Sequence, residues 1–376
     1  MNAGGDDAFQ ATMEVINSFS QGKIPAVVLD RTFQQSVWDE YIEICERFNE
    51  PGRFTPIIGY EWTSTENGNN LHRNVLYRDD GEVARRMVPY TTAESFNPED
   101  LWKWMARYEE ATGGRVLALA HNGNMSNGIR FPVETNPATG RALTGDYATE
   151  RARWEPLYET TQITGDGETH PLLSPDDAFA DFETLALGNL NLTVVKTDDM
   201  YKYEYTREAL KNGLKLEAEL GTNPYKFGLV GSSDTHTALA AVEEENYIGK
   251  HAGTEPSEER WYHPMAKFAG RQYDGFAMSA SGYAAVWATE NTREALWDAM
   301  WRKEVYATTG PRMVVRFFGG WDFTKQDALS RLPAEAGYTK GVPMGGDLQK
   351  APAGKAPTFL VAALKDPLSG NLDRIQ

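Results

Sequence analysis

The chain has 376 residues, 54 acidic against 37 basic, and a net charge of −17 at neutral pH. With 41% hydrophobic and 24% charged residues its composition is globular, large enough for one big domain or two smaller ones. The acidic balance speaks against broad nucleic-acid binding, because such a surface repels phosphate backbones. No stretch approaches the roughly 20 apolar residues of a membrane span. Cys45 is the only cysteine, which excludes an intramolecular disulfide and a cysteine-based zinc site. Residues 1–7 are polar and acidic and do not read as a signal peptide, which leaves location open. Oligomeric state is equally open.

In chain order, residues 6–19 and 34–48 carry apolar positions at threes and fours and read as amphipathic helices, the second stopped by Pro51-Gly52. Residues 55–62 are predicted as a strand, followed by a polar loop over 63–70. A second strand over 71–77 begins at His72. Residues 98–110 form a helix by their signals: Asn97 can cap it, Pro98 fits its first turn, and Gly113-Gly114 ends it. The apolar run 116–120 leads into His121-Asn122-Gly123-Asn124. Residues 125–153 read as a long loop region, 154–163 as a strand, 169–181 as a polar insertion and 203–220 as a helix. Residues 225–230 form a short apolar strand ending at Gly231-Ser232-Ser233-Asp234-Thr235-His236, and 292–302 another helix. After Gly310-Pro311 the texture changes, with strands over 313–318 and 358–364. This divides the chain into an α/β unit over 1–310 and the start of a β-rich unit over 311–376.

Strands alternating with helices argue for an α/β fold. Glu61, His121 and Asp234 sit at or just beyond the carboxyl ends of apolar strands, where α/β folds carry their sites. His72 opens its strand, so its loop must carry it back toward Glu61. Asp234 and His236 are two apart, a spacing that sets both side chains on one side of an extended segment. The competing reading is a helix-capping Asp234 and an ordinary polar His236. Of the six histidines, His170, His251 and His263 lie in loop-like segments and read as surface residues. Imidazoles mixed with carboxylates suit Zn, Mn or Fe better than Ca or Mg. Two such ions about 3.5–4 Å apart can clamp both oxygens of a displacement and lower the pKa of water. The chain has no Gly-x-Gly-x-x-Gly, no Walker sequence and no Gly-x-Ser-x-Gly elbow, and Ser232 and Ser233 read as turn residues.

Six blocks carry a resemblance. They are Ile57-Ile58-Gly59-Tyr60-Glu61-Trp62-Thr63, Asn70-Leu71-His72-Arg73-Asn74-Val75, Ala120-His121-Asn122-Gly123-Asn124 and Gly231-Ser232-Ser233-Asp234-Thr235-His236, with Ser281-Gly282-Tyr283-Ala284-Ala285-Val286-Trp287 and Tyr306-Ala307-Thr308-Thr309-Gly310-Pro311-Arg312. Together they resemble the DUF3604 family, related to the PHP (polymerase and histidinol phosphatase) metal-dependent hydrolases, over nearly the whole chain. The resemblance implies a distorted β/α barrel and hydrolysis of phosphate esters with two or three divalent ions. It implies that Glu61 bridges, that His72 and His121 complete one metal site, that Asp234 joins Glu61 on a second ion, and that His236 serves a third. It implies catalytic roles for Glu61, Asp234 and His236. PHP chains open on a His-x-His strand, whereas no histidine here precedes His72. The expectation is therefore a fragment or truncated copy, lacking the first strands of its barrel and stopping within a continuing segment at Asp373-Arg374-Ile375-Gln376.

The expected function is that of a metal-dependent hydrolase, a phosphoesterase acting on a small anionic ester. The alternatives are a degenerate, non-catalytic metal-binding protein and a hydrolase of another ester class. Arg130 and Arg153, with Arg141, are the candidates for gripping an anionic substrate.

Overall fold

The computed structural model describes residues 11, 14, 15, 18, 21–236, 264–274 and 282–375. The central element is a mixed sheet. Strands β1 (Gly59–Trp62), β2 (Arg73–Tyr77) and β3 (Val116–Ala120) run antiparallel to one another, and β4 (Leu157–Gln162) then pairs parallel with both β3 and β6 (Gly228–Gly231). A short β5 (Gly165–Asp166) folds back on the end of β4. Among the described residues β1 pairs with β2 alone, and the strands do not close into a barrel.

Alternation along the strands gives the sheet two unlike faces. Tyr60, Trp62, Val75, Tyr77, Val116, Ala118, Ala120 and Tyr158 belong to a large aromatic core. Over that face lie α1 (Arg31–Arg47), α2 (Pro98–Thr112), α3 (Gly145–Trp154) and α4 (Thr206–Leu220), which contribute Trp38, Met105, Trp154 and Leu216 to the same core. The opposite face carries Leu76, Leu117, Leu119, Leu157 and Val230, packed against Trp297 and Met300 of α5 (Arg293–Trp301). Trp297 Nε1 donates to the carbonyl of Leu76 at 3.1 Å and so pins α5 to β2.

Beyond β6, the antiparallel pair β9 (Tyr283–Val286) and β10 (Val305–Thr308), joined through α5, packs alongside it. The approach is close: a Cβ on Gly231 would stand 2.8 Å from the Thr308 carbonyl oxygen. Strands β7 (Pro264–Phe268) and β8 (Arg271–Asp274) form a separate hairpin. Downstream, β11 (Val314–Gly320), β12 (Gly341–Pro343) and β13 (Thr358–Leu364) make a three-stranded antiparallel sheet, against which α6 (Pro333–Lys340) packs through the Phe318–Tyr338 ring pair. It meets the preceding part through Trp287, whose Nε1 donates to the Val315 carbonyl at 2.9 Å beneath the Arg316 guanidinium.

Two expectations need correction. The region 125–153 is not loop throughout, because it contains most of α3, capped by the Thr144 side chain at Tyr147 N–H. The buried stripe of α3 is Tyr147, Ala148, Arg151 and Trp154. An arginine in that stripe breaks the apolar period that would have announced the helix. The strand predicted over 225–230 is Gly228–Gly231, since Tyr225 is buried by packing and lies outside the ladder.

Candidate metal centre

The antiparallel order of β1, β2 and β3 answers how His72 comes to lie beside Glu61. Glu61 is opposite Asn74, so the start of β2 lies at the end of β1. Arg73 is opposite Ala120, so His72 and His121 are the next residues outward at the same sheet end. All three side chains fall on the face opposite the aromatic core, because their strand neighbours Tyr60, Trp62, Arg73 and Ala120 point the other way.

One carboxylate oxygen, Glu61 Oε1, lies 2.8 Å from His72 Nδ1 and 3.0 Å from His121 Nε2. One candidate ligand atom from each residue lies within 4.8 Å of the other two. Both histidines are buried, with ring planes crossed at 82°. His72 Nε2 is held by Thr65 Oγ1 at 2.9 Å, which fixes the ring with Nδ1 toward Glu61. His121 Nδ1 is buried and has no hydrogen-bond partner among the described residues.

Charge follows this geometry. Burial works to raise the Glu61 carboxyl, but the two imidazoles outweigh it and hold it well below the usual carboxylate range. Burial lowers His72 despite the Glu61 carboxylate beside it. Burial also works to lower His121, but Glu61, Glu159 and Asp234 overcome it and raise the imidazole. The centre therefore joins one ionised carboxylate to two imidazoles with different proton affinities.

Arg130 occupies a place the sequence did not suggest. It is fully buried, and its guanidinium donates to the His72 carbonyl at 3.3 Å, the Asn70 carbonyl at 3.0 Å, Asn70 Oδ1 at 2.8 Å and the His121 carbonyl at 2.6 Å. It ties the two histidine backbones together and does not reach outward for an anion. Burial pushes it down to about 9, with Arg73 adding to the effect, so it stays charged at neutral pH. Beneath it, Arg73 at 2.8 Å and Arg151 at 3.3 Å flank the buried Glu155. Arg153 is also away from the centre: it lies on α3, half exposed, 2.8 Å from Glu109 and stacked on Trp154. Arg141 is exposed, 3.9 Å from Glu99.

Asp234 lies beyond β6 with a left-handed backbone, φ +49°, and close enough to act on both His121 and Glu159. It stands outside the three-residue cluster. His236 has a side chain 44% exposed, with Nδ1 3.0 Å from the Asp234 carbonyl oxygen. His170 stacks on Tyr201 at 4.1 Å between centroids. His251 and His263 lie outside the described residues.

Glu159 was missed by the sequence reading. It is buried on β4, and its Oε2 accepts from Ser232 Oγ at 2.5 Å. Burial raises this carboxyl, and the Asp234 charge adds to the rise. The available signal was a lone acid between Tyr158 and a Thr-rich run in a strand that is otherwise buried.

The fold and the site together define a mixed α/β protein with two buried histidines and a partly exposed glutamate clustered at one sheet end. The chain belongs to the family DUF3604, described as a protein of unknown function, which matches over residues 2–376. Curated proteins and solved structures offer no match to it.

Proposed function

We propose that this chain is a metal-dependent hydrolase of small anionic esters, a phosphoesterase related to the PHP hydrolases and built on a form of their distorted barrel. The observation that carries the reading is the meeting of His72 Nδ1 and His121 Nε2 on one oxygen of Glu61. Two imidazoles and a carboxylate are a donor set suited to Zn, Mn or Fe. The residues fit such an ion on a further count. Each ring turns a nitrogen toward the carboxylate, and Thr65 already occupies the far nitrogen of His72.

Glu61, His72 and His121 would hold the ion. Bound there, a divalent cation supplies a Lewis acid at which water ionises near neutral pH. The chain's own residues do the rest. Burial of the histidines keeps bulk water from their inner faces, and Arg130 fixes their backbones so that the donors are preorganised. Asp234 and His236, on the loop after β6, are the remaining candidates for catalytic work and for the second and third ions. What supports them is the family resemblance and the electrostatic reach of Asp234 to His121.

The three-residue cluster standing without Asp234 favours one other reading, a protein that binds a single ion and does not turn over. Elemental analysis and a panel of phosphate, sulfate and carboxylic esters, assayed with Zn, Mn and Fe, separate the two. We expect bound metal and phosphate-ester turnover in the wild type, with both lost in Glu61→Gln. Metal without turnover on any ester would establish the single-ion binding protein. Absence of bound metal would remove both.

A further inference from the structure

The sheet register places a fourth titratable group behind the cluster. Strands β3 and β4 are parallel, with Leu119 opposite Leu157 and Ala120 opposite Tyr158. The next step along both strands sets His121 beside Glu159. Leu119 and Leu157 share the face packed on α5, and alternation carries His121 and Glu159 to that same face. Neighbouring strands stand roughly 4.7–4.9 Å apart, and the Glu159 charge acts on His121.

Each brings one buried atom without a hydrogen bond among the described residues, and the two are complementary. On His121 it is Nδ1, since Nε2 faces Glu61; on Glu159 it is Oε1, since Oε2 holds Ser232. Burying a donor and an acceptor unpaired leaves the desolvation of both uncompensated. Gln162 Nε2 also approaches the Glu159 carboxylate and lowers it as a donor does, at a separation longer than a formed hydrogen bond. His121 and Glu159 are 3% and 4% exposed, so bulk solvent does not satisfy them.

We infer that Glu159 is the positioning residue of the metal centre: its carboxylate accepts the Nδ1–H of His121 through one ordered water, and so fixes the tautomer that leaves Nε2 free to ligate. Histidine ligands generally give their second N–H to such an outer acceptor, which orients the ring and raises its basicity. Ser232 supports the arrangement by holding the other Glu159 oxygen, and it also accepts from Asp234 N–H at 3.3 Å. The strand end after β6 and the histidine after β3 are thereby coupled through one carboxylate. The consequence for metal affinity rests on the proposed role of His121 as a ligand, whereas the hydrogen bond does not.

Two measurements on the whole 376-residue chain test the inference. The first is nitrogen-15 NMR of histidine-labelled protein without metal. We expect an Nδ1–H resonance of His121, protected from solvent exchange, that moves in Glu159→Gln and vanishes in Glu159→Ala. The second is zinc titration. Removing an outer acceptor typically weakens affinity 10–100-fold, so E159A should fall in that range, while E159Q, which keeps an acceptor oxygen, should recover most of it. E159Q also preserves shape, so it serves if E159A does not fold. An unmoved His121 resonance in E159Q overturns the inference. So does E159Q binding zinc as weakly as E61Q. If the wild type binds no zinc while the resonance responds to E159Q, the hydrogen bond stands and the hydrolase reading fails.

Discussion

Arg130 carries more structural responsibility than any other single residue near the centre. Its guanidinium serves four oxygens on two segments, among them the backbones of both cluster histidines. Truncation to alanine strands those acceptors in a dry interior, and we expect a loss of about 3–5 kcal/mol, the range for breaking a buried charged network. Urea unfolding checks this, and Arg130→Lys should recover only part, because an ammonium lacks the planar fork. Asp166 gives a prediction of opposite sign. Burial pushes its carboxyl up to about 6 from 3.8. Between those values the folded state binds more protons than the unfolded one, so its ionisation removes stability as pH rises and the full loss is present above about pH 6. The shift of about two units corresponds to at most about 3 kcal/mol. Asp166→Asn should therefore stabilise the protein at pH 7 by up to that amount, and the gain should fade to nothing near pH 4, as read from unfolding curves at both values.

The elements that read clearly from the sequence are those whose local signals agree with their surroundings. Strand β3 is apolar throughout and was read at its observed bounds, and α2 was read from its Asn97 cap, its Pro98 and its closing Gly113. Helix α3 was hidden by Arg151, which is apolar in position but not in composition. The convergence of Glu61, His72 and His121 was legible from the strand-end placement of Glu61 and His121 together with the family resemblance, with His72, which opens its strand, carried back by its loop. Glu159 was not legible, because only the β3–β4 register shows which strand residue neighbours His121. The roles of Arg130 and Arg153 were not legible either, because composition does not tell a buried strut from a ligand-gripping cation. The turn after β3 is closely packed. A Cβ on Gly123 would stand 2.3 Å from the Glu204 carbonyl oxygen and 2.6 Å from the Tyr158 hydroxyl. Gly123→Ala must move the backbone two residues from His121. We expect about 1–3 kcal/mol of destabilisation by calorimetry and a weaker zinc affinity by titration.

At the scale of the molecule, a bound ion would act as a staple between β1, the entry to β2 and the exit from β3. Ligand at 100 times its dissociation constant contributes about 2.7 kcal/mol when the unfolded chain does not bind it. We expect the melting temperature to rise with zinc in the wild type and to stay flat in E61Q, with scanning calorimetry as the check. Acidification should erase the rise, because protons compete for the imidazole nitrogens.

The fastening of two chain segments to one guanidinium also bears on how the molecule breathes. Loops at the mouth of a sheet usually open alone, and their amides exchange with solvent far faster than those of the core. Here the carbonyls of Asn70, His72 and His121 are held by the same fully buried cation, so neither segment can lift away without stranding it. Local opening and global unfolding then become one event for this part of the chain. In native-state hydrogen exchange the amides around residues 70–73 and 120–125 should show the same opening free energy and denaturant slope as those of β3, and they should separate into a faster-exchanging group only in Arg130→Ala.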